Sequence, residues 1–140
     1  MSLIVQKFGG TSVGNTDRIK NVAKRVAHYR REGHRIVVVV SAMSGETNRL
    51  LGLAKELSAS PDPRELDVIA ATGEQVTIGL LAIALKEMGI PAKSYTGGQV
   101  RVLTDSAYTK GRTLDAREAA MHKCLHPGSV VVVAGFQGVD

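Results

Sequence analysis

Two runs of β-branched residues do most to limit what this chain can become. Ile36-Val37-Val38-Val39-Val40 and Ser129-Val130-Val131-Val132-Val133-Ala134 do not alternate between apolar and polar positions. A strand with one wet face alternates, and a strand buried on both faces does not. Both runs therefore read as central strands of a parallel sheet. A third strand, Leu3-Ile4-Val5-Gln6-Lys7-Phe8, opens the chain. Between it and Ile36, Asn15 or Thr16 can cap a helix with Asp17 in its first turn. Ile19, Val22, Ala23, Val26 and Ala27 follow at helical spacing, and Gly33 ends the helix. Strand, helix and strand make a right-handed βαβ unit, so the fold class is α/β.

The first strand runs into Gly9-Gly10-Thr11-Ser12-Val13-Gly14. Adjacent glycines tolerate positive φ and let backbone N–H groups approach an anion, while Thr11 and Ser12 add hydroxyl donors. With Lys7 at the lip and a helix N-terminus beyond, this stretch has the makings of a phosphate site. An ordinary βα turn with a snorkelling lysine would have the same residues. The spacing is not that of a Walker loop. The second strand ends in Ser41-Ala42-Met43-Ser44-Gly45-Glu46-Thr47-Asn48. Ligands of open α/β sheets bind beyond the carboxyl ends of strands, so this loop and the Lys7–Ser12 turn should share one edge. Ser44 can cap a helix over Thr47–Leu57, and a cap and a ligand contact can coexist there.

Ser58 to Pro63 is a short surface connection, too brief to separate two cores. Arg64 to Met88 is a long apolar helical stretch that Gly73 is expected to break. Thr72 and Gln75 have capping-box spacing at that break. Glu74 stands between Val68-Ile69-Ala70-Ala71 and the apolar run from Val76 to Leu85. A carboxylate in such surroundings is costly unless paired. It is either a partner for a helix dipole or a carboxylate held for a cationic ligand group such as an ammonium. Gly89-Ile90-Pro91 ends the helix, and Ala92–Tyr95 reads as a strand turned by Thr96-Gly97-Gly98. Val100–Leu103 reads as a short strand, 104–114 as irregular, Asp115–Leu125 as a helix, and Gly135–Gly138 as another glycine turn at a strand end.

Composition narrows the function classes. The 140 residues are read as one domain, and 44% of them are hydrophobic, enough for a real core. Only five residues are aromatic and none is Trp, which argues against base-stacking platforms. The net charge of +5 is spread over several segments, so the cations read as solvated helix faces and no nucleic-acid partner is expected. Cys124 is the only cysteine, which fits a reducing compartment. His28, His34, His122 and His126 do not pair with it at metal-ligand spacing, so no metal site is expected. No apolar run is read as reaching the length of a membrane span, so a soluble, cytoplasmic protein is expected.

Taken in order, Lys7-Phe8-Gly9-Gly10-Thr11-Ser12-Val13, Val39-Val40-Ser41-Ala42-Met43, Thr72-Gly73-Glu74, Ser94-Tyr95-Thr96-Gly97 and Val133-Ala134-Gly135-Phe136-Gln137-Gly138 resemble the motifs of aspartate kinases, within the amino-acid kinase superfamily. The likeness covers essentially the whole chain. It implies a three-layer sandwich around a mainly parallel sheet, of which residues 1–140 would be the N-terminal, amino-acid-binding half. It implies ATP-dependent phosphorylation of L-aspartate to 4-phospho-L-aspartate, the first step toward lysine, threonine and methionine. By this resemblance Lys7 neutralises charge on the transferring phosphoryl group, and Lys7, Phe8, Gly9, Gly10, Thr11 and Ser12 make the ATP and phosphate contacts. Ser41 and Thr47 would line the aspartate pocket, and Glu74 would take the substrate ammonium. ATP and Mg2+ would be held mainly by a later Thr-Thr-Leu-Gly-Arg-Gly-Gly-Ser-Asp segment and the strands and helices beyond it, none of which lies within these residues. The chain alone is therefore expected to be inactive, and the enzyme to be a homo-oligomer. A non-catalytic half-domain that binds an anion or associates with itself is the alternative.

Overall fold

The computed structural model describes residues 2–96 and 128–135. The expectations for 97–127 and 136–140 lie outside the described residues. The described elements are β1 (Leu3–Phe8), α1 (Thr16–Arg31), β2 (Arg35–Val40), α2 (Glu46–Leu57), α3 (Pro63–Glu87), β3 (Ala92–Tyr95) and β4 (Val130–Ala134). The four strands form one parallel sheet in the order β1-β2-β4-β3. The two valine-rich runs occupy its centre. Ile36, Val37, Val38 and Val40 are fully buried, as are Val130, Val131 and Val132.

The alternation of strand side chains splits the core in two. Ile36, Val38, Val40, Val130, Val132 and Ala134 face α1 and α3. Val37, Val131 and Val133 face the other way, with Val5, Val39 and Tyr95 beside them. The main core is the larger, because α1 and α3 bury the stripes that sequence spacing gives them. On α1 these are Ile19, Val22, Ala23, Val26 and Ala27, as expected. The Asn15 side chain caps α1 by accepting from the Arg18 N–H at 2.9 Å. Such a cap stabilises a helix by about 1 kcal/mol. Gly33, with φ +95°, follows the last turn.

Three local expectations are corrected. First, Gly73 does not break the long helix: α3 runs unbroken for 25 residues. Its N-cap is Asp62, which accepts from the Arg64 N–H. No capping box forms, and the Thr72 hydroxyl donates to the Ile69 carbonyl within the helix. Gly73 is glycine because neighbours crowd it, not because the helix ends there. A Cβ on it would lie 3.1 Å from Ala42 Cβ, 3.3 Å from Leu50 Cδ1 and 3.4 Å from Glu46 Cγ. Second, Ser44 is not the cap of α2. That position belongs to Gly45, at φ +80°, with no side-chain hydrogen bond. Third, α3 is long and apolar enough to cross a membrane by length and composition alone, its mean hydropathy reaching 1.7 over an 18-residue window. A break at Gly73 would have divided that run. Its apolarity has a nearer cause, since Ile78, Leu81, Ala82 and Leu85 pack into the core.

Candidate functional site

The site forms where β1 and β2 end side by side. Their parallel register pairs Phe8 with Val40, so both following loops leave from one edge of the sheet, as expected. The Ser41 N–H donates to the Phe8 carbonyl at 3.3 Å and continues the ladder into the loop. After Gly9 the chain coils tightly. Ser12, Val13 and Gly14 N–H groups donate to the carbonyls of Gly9, Gly10 and Thr11 at 3.0, 3.3 and 3.4 Å. The amides of Gly10 and Thr11 keep no acceptor among the described residues.

The reason for glycine here differs from the expectation. Among the described residues, positive φ occurs at Gly33, Gly45, Gly89 and Gly128, not at Gly9, Gly10 or Gly14. Gly10 is required by close approach instead. A Cβ on it would sit 3.2 Å from the Ala42 carbonyl and 3.7 Å from the Ser44 backbone. A Cβ on Gly14 would sit 3.3 Å from the Thr11 carbonyl. Gly9 has no such neighbour among the described residues.

The two loops border an open pocket of about 400 Å³. Gly10 and Thr11 line it from one side, and Ser41, Met43, Ser44 and Thr47 from the other. Ala42, Gly45 and Asn48 complete the wall. Because α2 starts at the pocket without a side-chain cap, the N–H groups of Thr47 and Asn48 also lack an acceptor among the described residues. Sequence reasoning names this loop as a whole but singles out only Ser41 and Thr47. Asn48 carries a signal of its own, a polar side chain in the first turn of a helix that leaves a strand end.

The other expected site residues do not line the pocket. Phe8 turns its ring toward the main core, with the Arg25 guanidinium 5.7 Å from the ring centroid. Gly9 and Ser12 are exposed beside the turn. Lys7 is exposed on the sheet face opposite α1 and α3, the face shared with Val5 and Val39. Glu74 lies on α3, across the sheet from Lys7. It is only 8% exposed, and no hydrogen bond or ion pair reaches its carboxyl group among the described residues. Burial pushes its pKa up to about 7. The adjoining Gly73 is the point where α3 touches both Ala42 of the pocket wall and Glu46 of α2. Glu46 is held by Arg49 one turn on, whose hydrogen bond keeps its carboxyl group low in pKa. Neither Lys7 nor Glu74 is among the residues that line the pocket.

The amino acid kinase family model matches residues 2–140. The chain belongs to the amino acid kinase family. It is 64% identical over all 140 residues to an aspartate kinase of Stutzerimonas stutzeri (strain A1501), covering 34% of that protein. It is 62% identical over 140 residues to an aspartokinase of Pseudomonas aeruginosa, again covering 34% of it. The chain therefore spans about a third of the length of these curated relatives. Among solved structures it resembles the aspartate kinase of Synechocystis at a TM-score of 0.73 and 44% identity, over 97% of this chain and 22% of that one. The amino acid kinase expectation for the fold is borne out, as the N-terminal portion only.

Proposed function

We propose that residues 1–140 are a partial amino acid kinase domain, the amino-acid-binding part of an aspartate kinase. The complete protein would transfer the γ-phosphoryl group of ATP to the side-chain carboxylate of L-aspartate. A carboxylate oxygen attacks the γ-phosphorus, the bond from that phosphorus to the β,γ-bridging oxygen breaks, and ADP leaves with the electron pair. The attacking carboxylate is already ionised, so no general base is needed, and catalysis is positioning and charge stabilisation. The observation that carries this reading is the 64% identity to an aspartate kinase across every residue of the chain.

The geometry supports a division of labour. Ser41 and Thr47 line the polar pocket and suit the amino-acid substrate. Glu74, buried and unpaired among the described residues, suits its ammonium. The amides of Gly10 and Thr11, unpaired among the described residues, suit phosphate oxygens, with Gly9 and Ser12 beside them. Lys7, exposed at the same edge, suits charge that develops on the transferring group. Phe8 would act through its backbone, since its ring is committed to the core. Among the described residues no three His, Cys, Asp or Glu side chains come together. Any Mg2+ that accompanies ATP would be held by other parts of the protein.

The reading extends to a cytoplasmic enzyme that binds no nucleic acid and works as a homo-oligomer. Val76 and Ile83, more than half exposed along α3, support self-association. The deciding experiment couples ADP release to NADH oxidation, using the product of the whole reading frame that contains this chain. Turnover is expected with L-aspartate and not with L-glutamate, and no turnover is expected from the 140-residue chain alone. ADP release that ignores L-aspartate would overturn the reading.

A further inference from the structure

Arg18 carries no recognisable motif, yet it ties the start of α1 to the glycine turn. Its N–H is held by the Asn15 side chain at 2.9 Å. Its guanidinium Nη1 reaches back and donates to the Thr11 carbonyl at 3.0 Å. That carbonyl also accepts the weakest of the three turn bonds, from Gly14 at 3.4 Å, against 3.0 Å for the first. The arginine therefore supplies the stronger bond where the backbone supplies the weaker one. A charged donor roughly doubles the strength of such a bond.

The placement matters because of what lies at the other end of the turn. Its successive i→i+3 bonds align the peptide dipoles. The amides of Gly10 and Thr11, without an acceptor among the described residues, form the positive end, and the Thr11 carbonyl lies toward the negative end. A cation on that carbonyl fixes the turn and polarises it in the direction an incoming anion needs. Arg25 lies seven residues on, on the same stripe of α1, and sits over the ring of Phe8 at the start of the turn. So α1 grips the turn at both ends without itself entering the pocket.

We propose that Arg18 is a positioning residue for the phosphoryl group, acting through the Thr11 carbonyl to hold the Gly10 and Thr11 amides in place. The inference rests on the proposed phosphoryl-transfer function of the same site. Its test uses the product of the whole reading frame, with Arg18→Met, Arg18→Lys and, as a control for lost charge on α1, Lys24→Gln. Arg18→Met is expected to lower kcat about tenfold while KM for L-aspartate stays within about twofold, the pattern of a contact used in the transition state. Arg18→Lys, which can still donate to a carbonyl, should recover part of the loss, and Lys24→Gln should match the wild type. Amide hydrogen exchange gives a second readout that needs no activity. In Arg18→Met the amides of Ser12, Val13 and Gly14 should exchange faster, with Val22 to Tyr29 unchanged. Unaltered exchange in the turn would overturn the proposal, as would wild-type kcat in Arg18→Met or equal losses in every kinetic parameter with a lowered Tm. If the wild type shows no aspartate-dependent turnover, the function fails, and the exchange result still decides whether Arg18 holds the turn.

Discussion

Gly73 in the middle of α3 meets Ala42 on the pocket wall, leaving only 3.1 Å between the Ala42 methyl and any Cβ that Gly73 could carry. The helix interior there would be about 1 kcal/mol more stable with alanine on propensity alone. Crowding by Ala42, Leu50 and Glu46 opposes that gain. Gly73→Ala should therefore change stability little, and Gly73→Val should cost about 2 kcal/mol through overpacking. Both should raise KM for L-aspartate, because Ala42 and Glu46 are displaced together. Urea unfolding and steady-state kinetics check the pair, and a fully active Gly73→Val would break the link between α3 and the pocket.

Glu74 gives a pH dependence with a definite sign. Its pKa is near 7 in the folded protein, above the ordinary carboxylate value of 4.5. Between those values the folded state binds more protons than the unfolded state, so the group lowers stability as pH rises from about 4.5 to about 7. Glu74→Gln should then be more stable than wild type at pH 8, on the order of 2 kcal/mol, and equal to it near pH 4. The same change should raise KM for L-aspartate sharply, since the amide oxygen can accept from an ammonium but offers no negative charge to it. Thermal melts at the two pH values, set beside the kinetics, separate the two effects.

On the proposed role of Glu74, the substrate ammonium requires the ionised carboxylate. KM for L-aspartate should therefore climb as pH falls below about 7, and this climb should vanish in Glu74→Gln. A pH profile of kcat/KM for both proteins is the check, and identical profiles would remove Glu74 from the ammonium site.

Lys7 is exposed and makes no ion pair among the described residues, so the fold does not depend on its charge. Lys7→Met should leave Tm within about 1 °C and lower kcat on the order of 100-fold, as loss of a charge-stabilising group does. A large drop in Tm would assign the lysine a structural role instead.

Gly9 and Gly10 should part company. Gly10→Ala pushes a methyl against the Ala42 carbonyl and should cost stability as well as activity. Gly9→Ala meets nothing within 4 Å among the described residues and should fold as the wild type does. If Gly9→Ala nevertheless weakens ATP use, the space beside Gly9 is where the nucleotide lies.

The parts of this fold that are legible in the sequence share one property: burial imposes a pattern on the residues. The valine runs report a sheet buried on both faces, and the α1 stripe reports its packed side, because every position has to answer to the core. The common edge of the two loops follows from parallel topology. Sequence reasoning succeeds at Gly33 and Gly89, which follow α1 and α3 at positive φ, and fails at other glycines. A glycine's signature is the same whether it breaks a helix, adopts positive φ or admits a neighbour, and at Gly10 and Gly73 only the third applies. Ser44 has the look of a cap because a serine before a helix commonly is one, whereas Gly45 in a left-handed conformation takes the chain into α2. Arg18 is invisible because its partner is a backbone carbonyl, which leaves no trace in residue identity.

Gly45 also sets a limit on how this protein can be improved. With φ at +80° its backbone does not have the extended conformation from which a side chain caps a helix, so exchanging it for serine or aspartate would introduce strain before it gained a hydrogen bond. The start of α2 thus stays about 1 kcal/mol short of what a capped helix would reach. The donors left bare by that shortfall open into the pocket. A stabilising search that succeeded in covering them would harden the helix and close the mouth of the pocket.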